Sequence, residues 1–237
     1  MRPPEPVVLI TGATGPGGRA AAARFAADGA RLVLAGTDAG RLADVAARLG
    51  IAPDRWASAL GDLRDPDGAQ AVVAAATERF GRIDVLLHLV GGWTGGPPIV
   101  DLEPAVLRGM VDQHLWTTFN VVRLVVPGMV ERGWGRIAAV SSPFAAAPGA
   151  GVGAYAVAKA AVEALLGTLA REVAATGVTV NLVVVRTIDT EHKREQEPSP
   201  RNAGHTTPEE LADVLAYLAS DGAASVNGAR IPLFGRG

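Results

Sequence analysis

The chain alternates between short apolar runs and alanine-rich stretches with helical spacing. Val7–Ile10 is apolar and ends in glycine-rich sequence; Gly17–Asp28 then reads as a helix closed by Gly29. Arg31–Ala35 reads as a second strand, Ala39–Leu49 as a second helix closed by Gly50, and Trp56–Leu60 as a weaker strand. Pro66–Phe80 has proline at its start and Gly81 just past its end, the asymmetry expected of a helix. Val85–Val90, Arg136–Ser141 and Thr179–Val185 are further strands by the same reading. His114–Glu131 (with a kink expected at Pro127), Ala154–Thr176 and Pro208–Ser220, opened by Thr207 as N-cap, are further helices. Thr187–His205 fits neither period. It is charged and carries Pro198, Pro200, Asn202 and Gly204, so it reads either as a solvated loop or as a lid over a site, with residues 187–206 as the candidate lid.

Strands that are apolar throughout must be buried on both faces, and helices between them make the sheet parallel. The expected fold is therefore a doubly wound α/β, Rossmann-type three-layer sandwich. It would form one domain over residues 1–237, with its ligand site beyond the carboxyl ends of the strands at the switch point.

Composition narrows the chemistry. The 237 residues include no cysteine, which excludes disulfides, thiolate catalysis, cysteine-ligated zinc and iron–sulfur clusters. No metal site is expected. Basic and acidic residues number 22 and 24, so nothing suggests a nucleic-acid groove. Hydrophobic residues at 49% and charged residues at 19% argue against global disorder. The positive mean hydropathy reflects alanine and valine; no run of about 18 apolar residues free of charge, glycine and proline stands out, and no membrane partner is expected. The first residues lack the long apolar stretch of a signal peptide, so a cytoplasmic protein is the expectation.

The segment Thr11–Gly18, TGATGPGG, follows the first strand and opens the first helix. Glycines there permit a tight turn and let a pyrophosphate approach free N–H groups at the positive end of the helix. Pro16 has no N–H to offer but suits a first helical turn. Asp62 and Leu63 follow the third strand, where a carboxylate could accept from an adenine amino group or simply begin the next helix. Gly91-Gly92 follows the fourth strand and could admit a ribose. At the end of the second strand an acid would bind the ribose 2′-OH of NAD, whereas basic residues would welcome a 2′-phosphate. Gly36 and Thr37 stand there, with Asp38 slightly beyond as a candidate cap and Arg41 close enough to reach a phosphate.

Tyr155 and Lys159 lie four residues apart on one helix face, and Ser142 ends the fifth strand. Tyrosine is a poor acid or base at neutral pH, but a neighbouring ammonium would favour its phenolate. So tuned, Tyr155 could give a proton to a carbonyl oxygen or take one from an alcohol, with Ser142 bonded to the same oxygen.

Over about Val7–Gly235 the chain resembles the short-chain dehydrogenase/reductase family, single-domain type. The resemblance rests on TGATGPGG, GDL at Gly61–Leu63, SS at Ser141–Ser142, YAVAK at Tyr155–Lys159, VN at Val180–Asn181, and TPEELADVLAYLASDGAASVNGARI at Thr207–Ile231. It implies a sheet of about seven strands and a nicotinamide-dependent oxidoreductase acting on a small-molecule carbonyl/alcohol pair. Tyr155 would be the acid/base, Lys159 its partner and a ribose ligand, and Ser142 the substrate-orienting donor. Gly12, Thr14, Gly15, Gly17, Gly18, Thr37, Asp62, Leu63, Val90, Gly91, Ile188 and Thr190 would hold the cofactor. NADP(H) is favoured over NAD(H), because the acid that would repel a 2′-phosphate is missing at Gly36. A homo-oligomer, dimer or tetramer, is implied as well.

Several positions depart from the family pattern. Pro16 stands for glycine, and the spacing of Gly12, Gly15 and Gly18 looks more like the family's extended members. Asn-Asn-Ala-Gly after the fourth strand is here His88-Leu89-Val90-Gly91. The catalytic Asn of the next helix aligns with His114, which either binds the relay water in its place or is a helix residue satisfied locally. Pro-Gly after the sixth strand is Val185-Arg186. Trp93, Phe144, Pro148 and Gly149 would line the substrate side and suggest an apolar or ring-bearing substrate, or else are ordinary loop packing. The alternatives are a nucleotide-binding sensor or scaffold with little catalysis, and an epimerase or dehydratase on the same machinery.

Overall fold

The continuously apolar runs become the strands of one parallel sheet in the computed structural model, which describes residues 3–235; the first and last two residues of the 1–237 span lie outside the described residues. Its strands are β1 (Val7–Thr11), β2 (Arg31–Gly36), β3 (Trp56–Leu60), β4 (Val85–His88), β5 (Gly135–Ser141), β6 (Val178–Val185) and β7 (Arg230–Leu233). Their order is β3-β2-β1-β4-β5-β6-β7, and every pairing is parallel. The helices are α1 (Pro16–Ala27), α2 (Ala39–Leu49), α3 (Pro66–Phe80), α4 (Pro104–Val111), α5 (Thr117–Glu131), α6 (Gly153–Glu172), α7 (Lys193–Gln196) and α8 (Pro208–Leu218).

The sheet separates two apolar cores. Leu9, Val72, Val125 and Leu166 belong to one, and Ile10, Phe25, Leu34 and Leu215 to the other. Each such fully buried side chain contributes roughly 1.5–3 kcal/mol by leaving water. Adjacent positions on β1 thus point to opposite layers, as the sandwich requires. The chain runs outward from β1 to β3 and then returns to β4 on the other side of β1. That reversal opens a crevice beyond the strand ends, between β1 and β4.

Two features of the sequence reading change. The expected helix His114–Glu131 is the end of a longer run. It begins at Pro104, passes through a π-helical turn at Asp112–Trp116 and continues as α5 through Pro127. The stretch 187–206, read as a solvated loop or a lid, is tied down at several points. Ile188 bridges Thr206, the Asp189 carboxylate caps α7 by accepting from the N–H groups of Lys193 and Arg194, and Arg194 makes a bidentate pair with Glu210 of α8.

α6 is the one helix among the described residues long and apolar enough to cross a membrane by length and composition. Here it packs against α4 and β6 and presents two polar residues, Tyr155 and Lys159, to the crevice.

Candidate active site

The crevice holds a cavity of about 620 Å³. It is lined by Gly15, Gly17 and Gly18 of the glycine loop and by Trp93, Ser142, Phe144, Tyr155 and Lys159, together with His114, Arg186 and Ile188. A larger groove of about 720 Å³ runs along the outer side of α6, but it carries neither a glycine loop nor the tyrosine–lysine pair.

The glycine loop is built by close backbone approach. Gly12 has φ +70°, and a Cβ there would lie 2.7 Å from the Leu89 carbonyl oxygen; a Cβ on Gly18 would lie 2.3 Å from the Gly12 oxygen. Gly15 is the N-cap of α1, and no side chain caps that helix end. First-turn N–H groups are thus left for a ligand, and the backbone lies bare beside them, which fits a dinucleotide pyrophosphate. Asp38 accepts from the N–H of Arg41 and so serves as the N-cap of α2.

Asp62, the candidate for an adenine amino group, is paired with its neighbour Arg64. Arg64 holds both oxygens of the Asp62 carboxylate, keeping it below its ordinary pKa. The side chain of Leu63 is buried in the core, and its carbonyl accepts from Asn120. Thr14, Thr37, Asp62, Leu63, Pro148, Gly149 and Thr190 do not line the 620 Å³ cavity. Pro148, Gly149, Thr37 and Thr190 are exposed.

On the reactive side, Ser142 directly follows β5, is buried, and lines the same cavity as Tyr155. Lys159, one turn beyond Tyr155, donates to the Val140 carbonyl at 2.9 Å and lies 5.9 Å from the centre of the tyrosine ring. Burial pushes Lys159 down to about 8 against the opposing pull of Glu163. Burial raises Tyr155, with Ser142 acting in the opposite direction. The phenol therefore keeps its proton at neutral pH.

The two histidines occupy linked positions. His88 is buried between Thr11, whose Oγ1 lies 2.8 Å from Nδ1, and Thr117, whose Oγ1 lies 3.4 Å from Nε2. Thr117 gives its own proton to backbone carbonyls of the π turn, so it accepts from Nε2–H and Thr11 donates to Nδ1. His114 sits in the π turn, a frequent device at functional sites. Its Nε2 meets the Gly92 carbonyl at 3.0 Å. A carbonyl can only accept, so Nε2 carries the proton and Nδ1 is left as a bare acceptor. That Nδ1 is buried without a partner among the described residues. A Cβ on Gly91 would lie 3.4 Å from it and 3.8 Å from the Lys159 Nζ, so both atoms border the same small space. Desolvation, reinforced by Lys159, pushes His88 down to about 3 and His114 to about 4.

A glycine cradle at a switch point, facing a Ser–Tyr–Lys set across one cavity, defines a dinucleotide-dependent oxidoreductase. The short chain dehydrogenase family profile matches residues 6–201, and the chain belongs to that family. It is 34% identical over 233 residues to (2S)-[(R)-hydroxy(phenyl)methyl]succinyl-CoA dehydrogenase subunit BbsC of Thauera aromatica, covering 94% of this chain and 90% of that one. It is 31% identical to the 3-oxoacyl-[acyl-carrier-protein] reductase FabG of Pseudomonas aeruginosa, covering 97% and 96%. The crystal structure of levodione reductase superposes with a TM-score of 0.87 at 30% identity, covering 97% of this chain and 96% of the other. The chain is thus an NAD(P)-dependent enzyme of CH–OH and C=O groups.

Sequence reasoning missed several supports. Asn120, a buried amide in a valine-rich run, ties α5 to the Leu63 and Arg64 carbonyls. Gly68 admits the Asp62 carbonyl to a point where a Cβ would stand 2.3 Å away. The asparagine of the family's VN pair acts as a structural tie. Asn181 accepts from the N–H of Ala229 and donates to the Val226 carbonyl, joining β6 to the chain that leads into β7.

Proposed function

We propose that the chain reduces a carbonyl group, or oxidises the matching alcohol, with NADP(H), and that Tyr155 is the acid/base. The observation that carries this reading is that Ser142, Tyr155 and buried Lys159 line the same cavity as Gly15–Gly18. When bound, the nicotinamide supplies or accepts the hydride. Tyr155, protonated at neutral pH, gives its proton to the carbonyl oxygen, and Ser142 bonds the same oxygen to orient it. Lys159 stabilises the phenolate left behind, and a water held between its Nζ and the bare Nδ1 of neutral His114 returns the proton. Trp93, 65% exposed at the rim, and Phe144 make an apolar wall that suits a ring-bearing or otherwise apolar substrate.

The preference for NADP(H) rests on the end of β2. Asp38 is committed to capping α2, and Gly36 offers no carboxylate. An actinorhodin polyketide ketoreductase solved with NADPH (TM-score 0.86, 28% identity) supports the same preference by analogy. Fluorescence titration with NADPH and NADH side by side tests it, and tighter NADH binding overturns it. Gly36→Asp should weaken NADPH binding by about tenfold or more, since a carboxylate there opposes a 2′-phosphate. Equal NADPH affinity in that variant would place the 2′-phosphate elsewhere.

Gly18→Ala provides a second test of the cofactor site. The atoms its Cβ would strike, the Gly12 oxygen and the Ala13 Cα, are backbone and cannot swing aside. The expected result is a loss of about 1–3 kcal/mol in stability together with loss of dinucleotide binding. Thermal melts and the same titration check it, and unaltered affinity would show that phosphate is not held by this loop.

The proposed assembly is a cytoplasmic homo-oligomer. Trp116, Phe119 and Val130 of the α5 run and Val157 of α6 are exposed apolar side chains, and they support pairing through these helices. Sedimentation of a monomer at micromolar concentration would contradict it.

A further inference from the structure

Three successive residues at the end of β5 are each held from outside the strand. The Val140 carbonyl accepts from Lys159 Nζ at 2.9 Å. The Ser141 hydroxyl donates to Glu163 Oε1 at 2.6 Å. The Ser142 carbonyl accepts from Arg230 Nη2 at 3.3 Å. Glu163 and Arg230 are themselves paired, with Nε 2.9 and 3.0 Å from the two carboxylate oxygens. Lys159 and Glu163 sit one turn apart on α6, and Arg230 begins β7. The carboxylate is largely shielded, its side chain 17% exposed.

We propose that Glu163, braced by Arg230 and Ser141, is a positioning residue that fixes how Ser142 and Lys159 face the reacting carbonyl. The proposal rests on the reaction assigned above to Ser142, Tyr155 and Lys159. A partly buried ion pair is by itself weak evidence of stabilisation, because desolvation offsets the attraction. The placement is what matters here. All three ties end on the strand tip that carries Ser142 into the cavity shared with Tyr155, so a shift of the Glu163 carboxylate moves the proposed donor of the oxygen-binding hydrogen bond. The same carboxylate favours the charged form of Lys159 against burial. The other titratable groups around Lys159 are Tyr155 on α6, His114 in the π turn and His88 on β4. The two imidazoles are neutral at pH 7, and Tyr155 keeps its proton.

The chain has two lysines, Lys159 and Lys193, which makes the test direct. Lysine labelled with ¹³C at Cε gives two signals, and Lys193→Arg assigns them. In the wild type Lys159 should titrate at about 8. In Glu163→Gln its midpoint should fall further, by about half a pH unit or more, because the carboxylate that favours the ammonium is gone. Glu163→Asp, which keeps the charge, should leave the midpoint near the wild-type position. In steady-state reduction of a ketone panel, Glu163→Gln should lose about tenfold in kcat with KM and NADPH affinity changed less than about twofold. An unmoved Lys159 midpoint in Glu163→Gln overturns the proposal, and so does wild-type kcat in that variant. A lower melting temperature with neither change would show a structural role only. A wild type that turns over no carbonyl defeats the assigned reaction, while the lysine titration still decides whether Glu163 acts on Lys159.

Discussion

Tyr155→Phe should abolish most turnover while leaving cofactor binding and the fold nearly intact. The substitution removes one oxygen and nothing else. The ring of Tyr155 stands edge-on to His114, with centroids 5.5 Å apart and planes at 77°, and phenylalanine preserves that contact. Lys159 keeps its bond to the Val140 carbonyl, which does not involve the phenol. What disappears is the hydroxyl proposed to exchange a proton with a bound carbonyl oxygen. Positioned general acids contribute about 10²–10⁴-fold, or on the order of 3–5 kcal/mol of transition-state stabilisation. The full loss should fall on kcat, since the missing interaction is made chiefly as charge develops on oxygen. Stopped-flow hydride transfer and NADPH titration check the two halves of the claim. Retention of more than about a tenth of wild-type kcat would remove Tyr155 from the acid/base role. It would also leave the buried imidazole of His114, the nearest other proton carrier, as the group to test.

Much of this arrangement is readable in the sequence alone. Ala39–Leu49, Trp56–Leu60 and Pro66–Phe80 end where their glycine, proline and aspartate punctuation says, because backbone conformation at those positions is fixed locally. Long-range constraints are not readable in that way. β7 is a short edge strand carrying Pro232 and pairing on one side only, so it lacks the doubly buried apolar signature of the other strands. Helix α6 stops at Glu172 rather than Thr176, where turns replace the helix short of Gly177. The π turn leaves no mark in the sequence; it shows only in the structure, as the five residues Asp112–Trp116 that join α4 to α5 around His114. At the site, Ser142, Tyr155 and Lys159 are legible because their spacing follows from a strand end and a helix face. The partners that brace them are not. Glu163 meets Arg230 across 67 residues, and Asn120 meets Leu63 across 57, distances that no local pattern encodes.

Acid should destabilise this chain earlier and more steeply than its carboxylates alone would dictate. The reason is the pair of buried imidazoles, His88 and His114. In the folded chain His88 is pushed down to about 3 and His114 to about 4, both chiefly by burial. In the unfolded chain both revert to the ordinary histidine value of about 6.5. As pH falls below about 6.5 the unfolded state takes up two protons that the folded state refuses, so stability is lost with falling pH. The loss continues until the folded values are reached and stops below them. Each imidazole should contribute on the order of 1 kcal/mol per pH unit within that window. Between pH 6.5 and 5 most unperturbed carboxylates are still ionised, so urea midpoints there isolate the histidine contribution. His88→Asn should flatten the slope by about half, and His88→Asn with His114→Asn should remove most of it. His88→Asn also tests the local account of β4: its amide must satisfy Thr11 and Thr117, and where it does so the variant should match or exceed wild-type stability at pH 5. An unchanged slope in the double variant would mean that the imidazoles are protonated in the folded state. In that case the bare Nδ1 of His114, and the water assigned to it, would have to be given up.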